Sequence, residues 1–173
     1  MNLLRRVLIA AAIGLPLLVA GCAATAPAVD PAVARVLAPS GTLRVGVYPG
    51  SPTSLVVNPK TGERAGVAME LGQALGNRLG VPVQVFEFGR LALVLDALKA
   101  GAVDFTFTNA TEARAKDMAF TPPVIRLELG YLVPPGSAIT AVGDVDLRAN
   151  RVGVAEGSSS QGVLTRTFKQ AVV

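Results

Sequence analysis

Between Thr42 and Thr108 the chain alternates between two periodicities, and this alternation narrows its fold more than any other feature. Thr42–Val47 (TLRVGV) and Val83–Phe88 (VQVFEF) are short runs rich in β-branched and apolar residues. Val103–Thr108 (VDFTFT) alternates strictly, with Val103, Phe105 and Phe107 on one face. Between these runs the spacing becomes helical. Val67, Leu71, Ala74, Leu75 and Leu79 share one face and predict a helix over 67–79, stopped by Gly80. Leu91, Leu95 and Leu98 predict a second helix, ended by Gly101. Asn58-Pro59-Lys60-Thr61-Gly62 is a turn. Further along, Thr111 is the N-cap of a short helix from Glu112. Val124–Val133 is an extended stretch broken by Pro134-Pro135-Gly136. Arg151–Ala155 is a strand, and a last helix runs to about Gln170. Strands that alternate with helices predict an α/β fold with a largely parallel sheet, because parallel neighbours need a long crossover between them. No internal repeat interrupts the pattern.

The first residues obey a different rule. Arg5 and Arg6 precede Val7–Ala20, an uncharged apolar run. Those residues would span ~21 Å as a helix, short of the ~30 Å of a bilayer core. The run ends in small residues, as a secretory cleavage site requires. Val19-Ala20-Gly21-Cys22 resembles the bacterial lipobox, in which the cysteine is acylated and becomes the new N-terminus. The plainer alternative is an ordinary signal peptide with an incidental cysteine. On the lipobox reading, residues 1–21 are a lipoprotein signal and residues 22–40 a tether rich in Ala, Pro and Val. A short helix at Val33–Leu37 is compatible with that tether. Ala23, in place of Asp, favours the outer membrane by the same resemblance.

Composition removes whole classes of chemistry. The chain has no His and one Cys, so Ser-His-Asp and Cys-His catalysis, His-based metal sites and internal disulfides are excluded. With 51% hydrophobic and 16% charged residues it is not a disordered chain. Removal of Arg5 and Arg6 with the leader lowers the net charge from +4 to +2, and the remaining Lys and Arg are dispersed. Nucleic acid is therefore not an expected partner.

Four segments, in order, carry a resemblance to the family 3 bacterial extracellular solute-binding proteins. They are Gly41–Val47, Gly66–Leu71 continuing to Val81, Leu98–Asp104, and Thr111-Glu112-Ala113-Arg114-Ala115 continuing to Phe120. The resemblance implies a periplasmic-binding-protein-like fold of two α/β lobes that close on a ligand. It makes residues 41–131 the first lobe and residues 132–173 part of the second. It also implies a receptor that delivers an amino acid or similar small polar carboxylate to ABC permease subunits, with no cofactor, metal or catalytic residue. A carboxylate needs a bidentate cation that stays charged, and Arg114 at the first helical turn fits that role. Thr111 would cap the turn and offer a hydroxyl, while Thr108 and Asn109 stand in a loop shorter than the family's. Out of context, Thr111-x-x-Arg114 is simply a capped helix with a solvated arginine. Gly157-Ser158-Ser159-Ser160 occupies the family's second contact, where helix N-terminal amides bind anions; its plainer reading is a Ser N-cap. Tyr48 stands where many members carry an acidic residue, and lies either over the ligand or as a half-buried strand-end aromatic.

Complete relatives are longer, so the chain is expected to be a truncated form that folds poorly or binds weakly. Two other functions fit the same resemblance. One is a periplasmic dehydratase acting on arogenate or prephenate, for which Glu112 and Glu156 are the carboxylates nearest the cleft. The other is a sensor lobe of a signalling or cell-wall protein.

Overall fold

A computed structural model describes residues 29–173. The leader, Cys22 and the first part of the tether lie outside the described residues. The tether's second part is a helix, α1 (Pro31–Leu37), with Pro at its start and the Asp30 carboxylate accepting from the Ala32 N–H at 2.8 Å. It delivers Ala38 into the core, where only 3% of that residue is exposed.

The centre of the fold is β1 (Leu43–Val47). It runs parallel to β4 (Val83–Glu87), with Leu43 opposite Val83 and Val47 opposite Glu87. Between them the chain makes a small antiparallel hairpin, β2 (Val56–Val57) and β3 (Arg64–Ala65), around the predicted Asn58–Gly62 turn, and then α2 (Val67–Leu79). The predicted bounds of α2 are those observed. It ends in a Schellman motif: Gly80 is left-handed at φ 69°, and the Val81 and Gly80 amides donate to the Gly76 and Asn77 carbonyls.

Its buried face differs from the predicted one. Val67, Leu71 and Ala74 are exposed, whereas Ala68, Gly72 and Gly76 are buried. A Cβ added at Gly72 would lie 2.5 Å from Val45 Cγ2, and one at Gly76 would meet Val83. The missing side chains let the helix backbone sit directly on the valines of β1 and β4. Size, more than hydrophobicity, selected this face.

The third predicted strand shrinks to a single bridge, Val45 to Phe105. Side chains cut the ladder at both ends. The Asp104 carboxylate accepts the Arg44 N–H at 2.9 Å, and the Thr106 hydroxyl donates to the Gly46 carbonyl at 2.9 Å. Each takes a position that the next backbone bond would have used. The Arg44 guanidinium closes on Asp104 as well, which pins this crossing to β1. Opposite α2, α3 (Leu91–Lys99) buries Leu91, Val94, Leu95 and Ala97, and Gly101 ends the turn that follows at φ 68°.

After α4 (Glu112–Ala115) regular structure becomes sparse. Val124–Val133 forms neither helix nor strand, because no neighbouring strand among the described residues takes up its backbone. The predicted strand at 151–155 is one parallel bridge, Arg151 to Val172, supported by the Val152 amide on the Val172 carbonyl at 2.8 Å. A 3-10 turn (Val142–Asp144) precedes it, and α5 (Ser159–Thr167) follows. α5 ends three residues before the expected Gln170, where the Asp146 carboxylate captures the Lys169, Gln170 and Ala171 amides at 2.8–2.9 Å. Tyr131 stacks on Phe168 with ring centroids 6.3 Å apart, which ties the crossing segment to the end of α5.

Candidate functional site

The carboxyl ends of β1 and of the Phe105 crossing open on the same side as the N-termini of α3, α4 and α5. In parallel α/β sheets this is where ligands bind, since loops converge there and helix amides point outward. Arg114 occupies the junction. α4 positions it because Thr111 lies in extended backbone and its hydroxyl accepts the Arg114 N–H at 3.3 Å.

Arg114 is buried, with 9% of the residue exposed, and its fork spans both halves of the molecule. Nη1 donates to the Thr108 hydroxyl at 2.8 Å and to the Asn109 carbonyl at 3.0 Å. Nη2 donates to the Gly157 carbonyl at 3.0 Å. All three acceptors are neutral, and among the described residues no carboxylate pairs with this guanidinium. Burial pushes Arg114 below the ordinary guanidinium range, and the nearby Tyr48 opposes that shift. A guanidinium nevertheless stays charged in a protein. The result is a desolvated cation held only by dipoles, which is the arrangement an anionic ligand completes.

The second half approaches through a left-handed glycine. Gly157 has φ 75°, and a Cβ there would lie 2.8 Å from the Ala92 Cβ, so the turn packs against the start of α3. Its amide does not face a ligand: it donates to the Gln161 side chain at 2.8 Å. Ser158 caps α5 by accepting the Gln161 N–H at 3.0 Å. Gln161 therefore organises the turn, a role the sequence reading missed although Ser158-x-x-Gln161 is a capping-box spacing. Asn109 Nδ2 donates to the Ser159 hydroxyl at 3.0 Å, a second bond between the halves. An exposed ion pair, Arg90 to Glu156 at 3.4 Å, is a third.

Of the candidate residues, Arg114, Thr111, Thr108, Asn109, Gly157, Ser158 and Ser159 thus meet in one hydrogen-bonded cluster. Ser160 follows in the first turn of α5 and lines a neighbouring groove with Ser158 and Ser159. Tyr48 is half-buried at the end of β1, and its backbone amide is fixed by the buried Ser54 hydroxyl at 2.8 Å. Ser54 is a support that the sequence did not announce.

Residues 43–170 match the bacterial extracellular solute-binding proteins, family 3. No curated protein matches the chain. Among solved structures, the ancestral amino acid-binding protein AncCDT-1, a precursor of cyclohexadienyl dehydratase, superposes with a TM-score of 0.70 at 24% identity; the match covers 81% of this chain and 63% of that one. A putative binding component of an ABC transporter from Wolinella succinogenes, complexed with lysine, superposes with a TM-score of 0.60 at 20% identity, over 76% of this chain and 57% of that one. The chain therefore spans under two thirds of the length of these relatives, and it shares their fold.

Proposed function

The chain belongs to the bacterial extracellular solute-binding proteins, family 3, and from that membership we propose that it is the substrate-binding lipoprotein of an ABC importer. It holds the carboxylate of an amino acid, or of a similar small polar acid, against Arg114. The observation that carries this reading is the buried guanidinium with only neutral partners, set where the two halves meet. A ligand carboxylate would take the place of the Gly157 carbonyl on Nη2, and the Asn109–Ser159 contact would close over it. Both relatives described above are amino-acid binders by their own descriptions, so amino acids are the first class to test. Cys22 would carry the lipid, with the outer membrane as its destination where one exists, and residues 23–30 would bridge lipid and fold. The partners are then the permease subunits and the membrane.

Isothermal titration of the chain with an amino-acid and organic-acid panel tests the proposal. Binding that Arg114→Gln weakens by about 2–5 kcal/mol supports it. No heat with any carboxylate, or equal affinity in the variant, sinks it.

The enzymatic alternative, a dehydratase acting on arogenate or prephenate, needs a placed general acid or base. Glu156 faces Arg90 on the surface, and Glu112 is exposed in the first turn of α4. Product formation from arogenate separates enzyme from receptor. A sensor lobe would bind ligand equally well but would not be recovered with permease subunits.

A further inference from the structure

Two hydroxyls stop the sheet just short of the candidate site. The parallel ladder between β1 and the Phe105 crossing begins in the ordinary way. The Phe105 amide donates to the Arg44 carbonyl at 3.1 Å, and the Gly46 amide donates to the Phe105 carbonyl at 2.8 Å. The next rung would set the Phe107 amide on the Gly46 carbonyl and the Tyr48 amide on the Phe107 carbonyl. Both groups of β1 are already taken. The Thr106 hydroxyl donates to the Gly46 carbonyl at 2.9 Å, and the fully buried Ser54 hydroxyl accepts the Tyr48 amide at 2.8 Å. Among the described residues the Phe107 amide makes no hydrogen bond. Gly46 itself has little room to move: a Cβ there would lie 3.0 Å from Val94 Cγ1 and 3.1 Å from Val103 Cγ2, so its backbone rests on those side chains. Asp104, which accepts the Arg44 amide and Nε at 2.9 Å each, keeps the crossing from sliding along β1. The chain therefore leaves the sheet after Phe105. Thr108 and Asn109 then meet Arg114 Nη1 at 2.8 and 3.0 Å.

We propose that Thr106 and Ser54 are positioning residues for the Arg114 site, and that they act by occupying the two groups of β1 that would otherwise pair with Phe107. The residues of the crossing favour the opposite outcome. Val103–Thr108 has the alternation and β-branched content of a full strand, so the hydroxyls work against the local preference. Such a conflict between local pattern and observed structure is expected where a site is built. A paired Phe107 would carry the strand on to Thr108 and draw Thr108 and Asn109 toward β1, away from the guanidinium. Among the described residues Nη1 donates to these two alone, so the point where the crossing leaves the sheet sets how the fork is held. That this placement serves a ligand rests on the reading of Arg114 as a carboxylate site; the placement itself does not.

The test uses the full chain. Thr106→Val removes the hydroxyl at nearly the same volume and keeps a β-branched residue. The Phe107 amide should then exchange about tenfold more slowly, read by NMR hydrogen exchange. The Arg114 Nη resonances should lose the separation that fixed partners impose. Affinity for the tightest acid of the amino-acid and organic-acid panel should fall about tenfold. Thr106→Ser should restore all three, and adding Ser54→Ala to Thr106→Val should protect Phe107 further. A lower melting temperature with Phe107 exchange and Arg114 resonances as in the wild type would make Thr106 a structural residue only, and overturns the proposal. So does a protected Phe107 that leaves the Arg114 resonances or the measured affinity unchanged. If no chain binds any acid of the panel while both NMR readouts respond, the carboxylate reading of Arg114 fails and its positioning by the two hydroxyls stands.

Discussion

Two parts of this chain carry the same strand–turn–helix pattern and use it differently. Around β1, a parallel strand has a neighbour on each side and a helix on each face. At Arg151–Ala155 the same kind of run touches one neighbour at one position. Among the described residues, eleven of the thirteen buried apolar residues lie between Ala38 and Val103, and the other two, Val145 and Leu164, lie in the second part. The second part relies on polar side chains instead. Asp146 gathers three backbone amides, Asn150 donates to the Asp144 and Val145 carbonyls, and Asp144 accepts from Thr140 and Ala141. Apolar burial is cooperative across a core, whereas such local bonds each hold one turn. The candidate site joins the two kinds of construction, because Arg114 stands on the first and reaches Gly157 on the second.

The sharpest way to break this contrast is to empty each core by one side chain. Leu43→Ala removes a residue 1% exposed beside Val45 and should cost about 2–5 kcal/mol in the main thermal transition. Leu164→Ala should leave that transition within about 0.5 kcal/mol, because its part opens locally. Equal shifts in circular-dichroism melts would mean that the two parts unfold as one unit.

A single substitution type made in α2 and in α5 gives a finer contrast. Gly72→Ala puts a methyl 2.5 Å from Val45 Cγ2 and should destabilise by about 1–3 kcal/mol. At Gly162 in α5 the nearest atom is the flexible Arg166 Nη1 at 3.3 Å, so Gly162→Ala should stabilise by up to about 1 kcal/mol through helix propensity. Opposite signs, read by denaturant titration for the first and by hydrogen exchange across α5 for the second, are the expected result. A stabilising Gly72→Ala would show that α2 does not seat its backbone on the sheet.

That glycine contact also marks what the sequence could tell. The bounds of α2 were legible, and those of β1 and β4 to within one residue, because strong periodicity and Gly80 are local signals. The buried face of α2 was not, because a hydrophobicity pattern ranks Leu71 above Gly72 and cannot see the valines beneath. The i, i+4, i+8 run Ala68, Gly72, Gly76 was the available clue. The runs at Val103–Thr108 and Arg151–Ala155, expected as strands, and the extended stretch at Val124–Val133 have β composition, but a strand exists only where a partner takes its hydrogen bonds. At the site, the Thr111 and Ser158 caps followed from spacing, whereas Arg114 was singled out by the family resemblance, since spacing alone made it a solvated arginine. Gln161 and Ser54 act through contacts that spacing does not single out, and the Gly157 amide, expected to face a ligand carboxylate, donates to Gln161 while its carbonyl accepts from Arg114.

Acid should loosen the second part before the first. Backbone amides of Ala171, Lys169 and Gln170 hold the Asp146 carboxyl below the usual carboxylate range, and those of Ala141 and Thr140 do the same for Asp144. A carboxyl depressed in the fold contributes stability above its unfolded value of ~3.9, and that contribution is lost as pH falls through the folded value. Exchange at residues 169–171 should therefore rise below about pH 4 while α2 stays protected. Asp146→Asn should open the same amides at neutral pH. Simultaneous loss of protection in α2 would contradict the division of the molecule.

The smallest expected effect tests whether the two parts are held together by charge or by the buried guanidinium. Arg90 and Glu156 are 53% and 61% exposed at 3.4 Å, so water and salt screen their attraction and ordering two long side chains offsets much of it. Arg90→Ala should change ligand affinity by less than about threefold, and that small change should vanish at high salt. Arg114 is shielded from solvent, so its contribution should persist in the same salt series. If Arg90→Ala weakened binding as much as Arg114→Gln does, surface charge would be setting the approach of the two parts, and the buried fork would be following it.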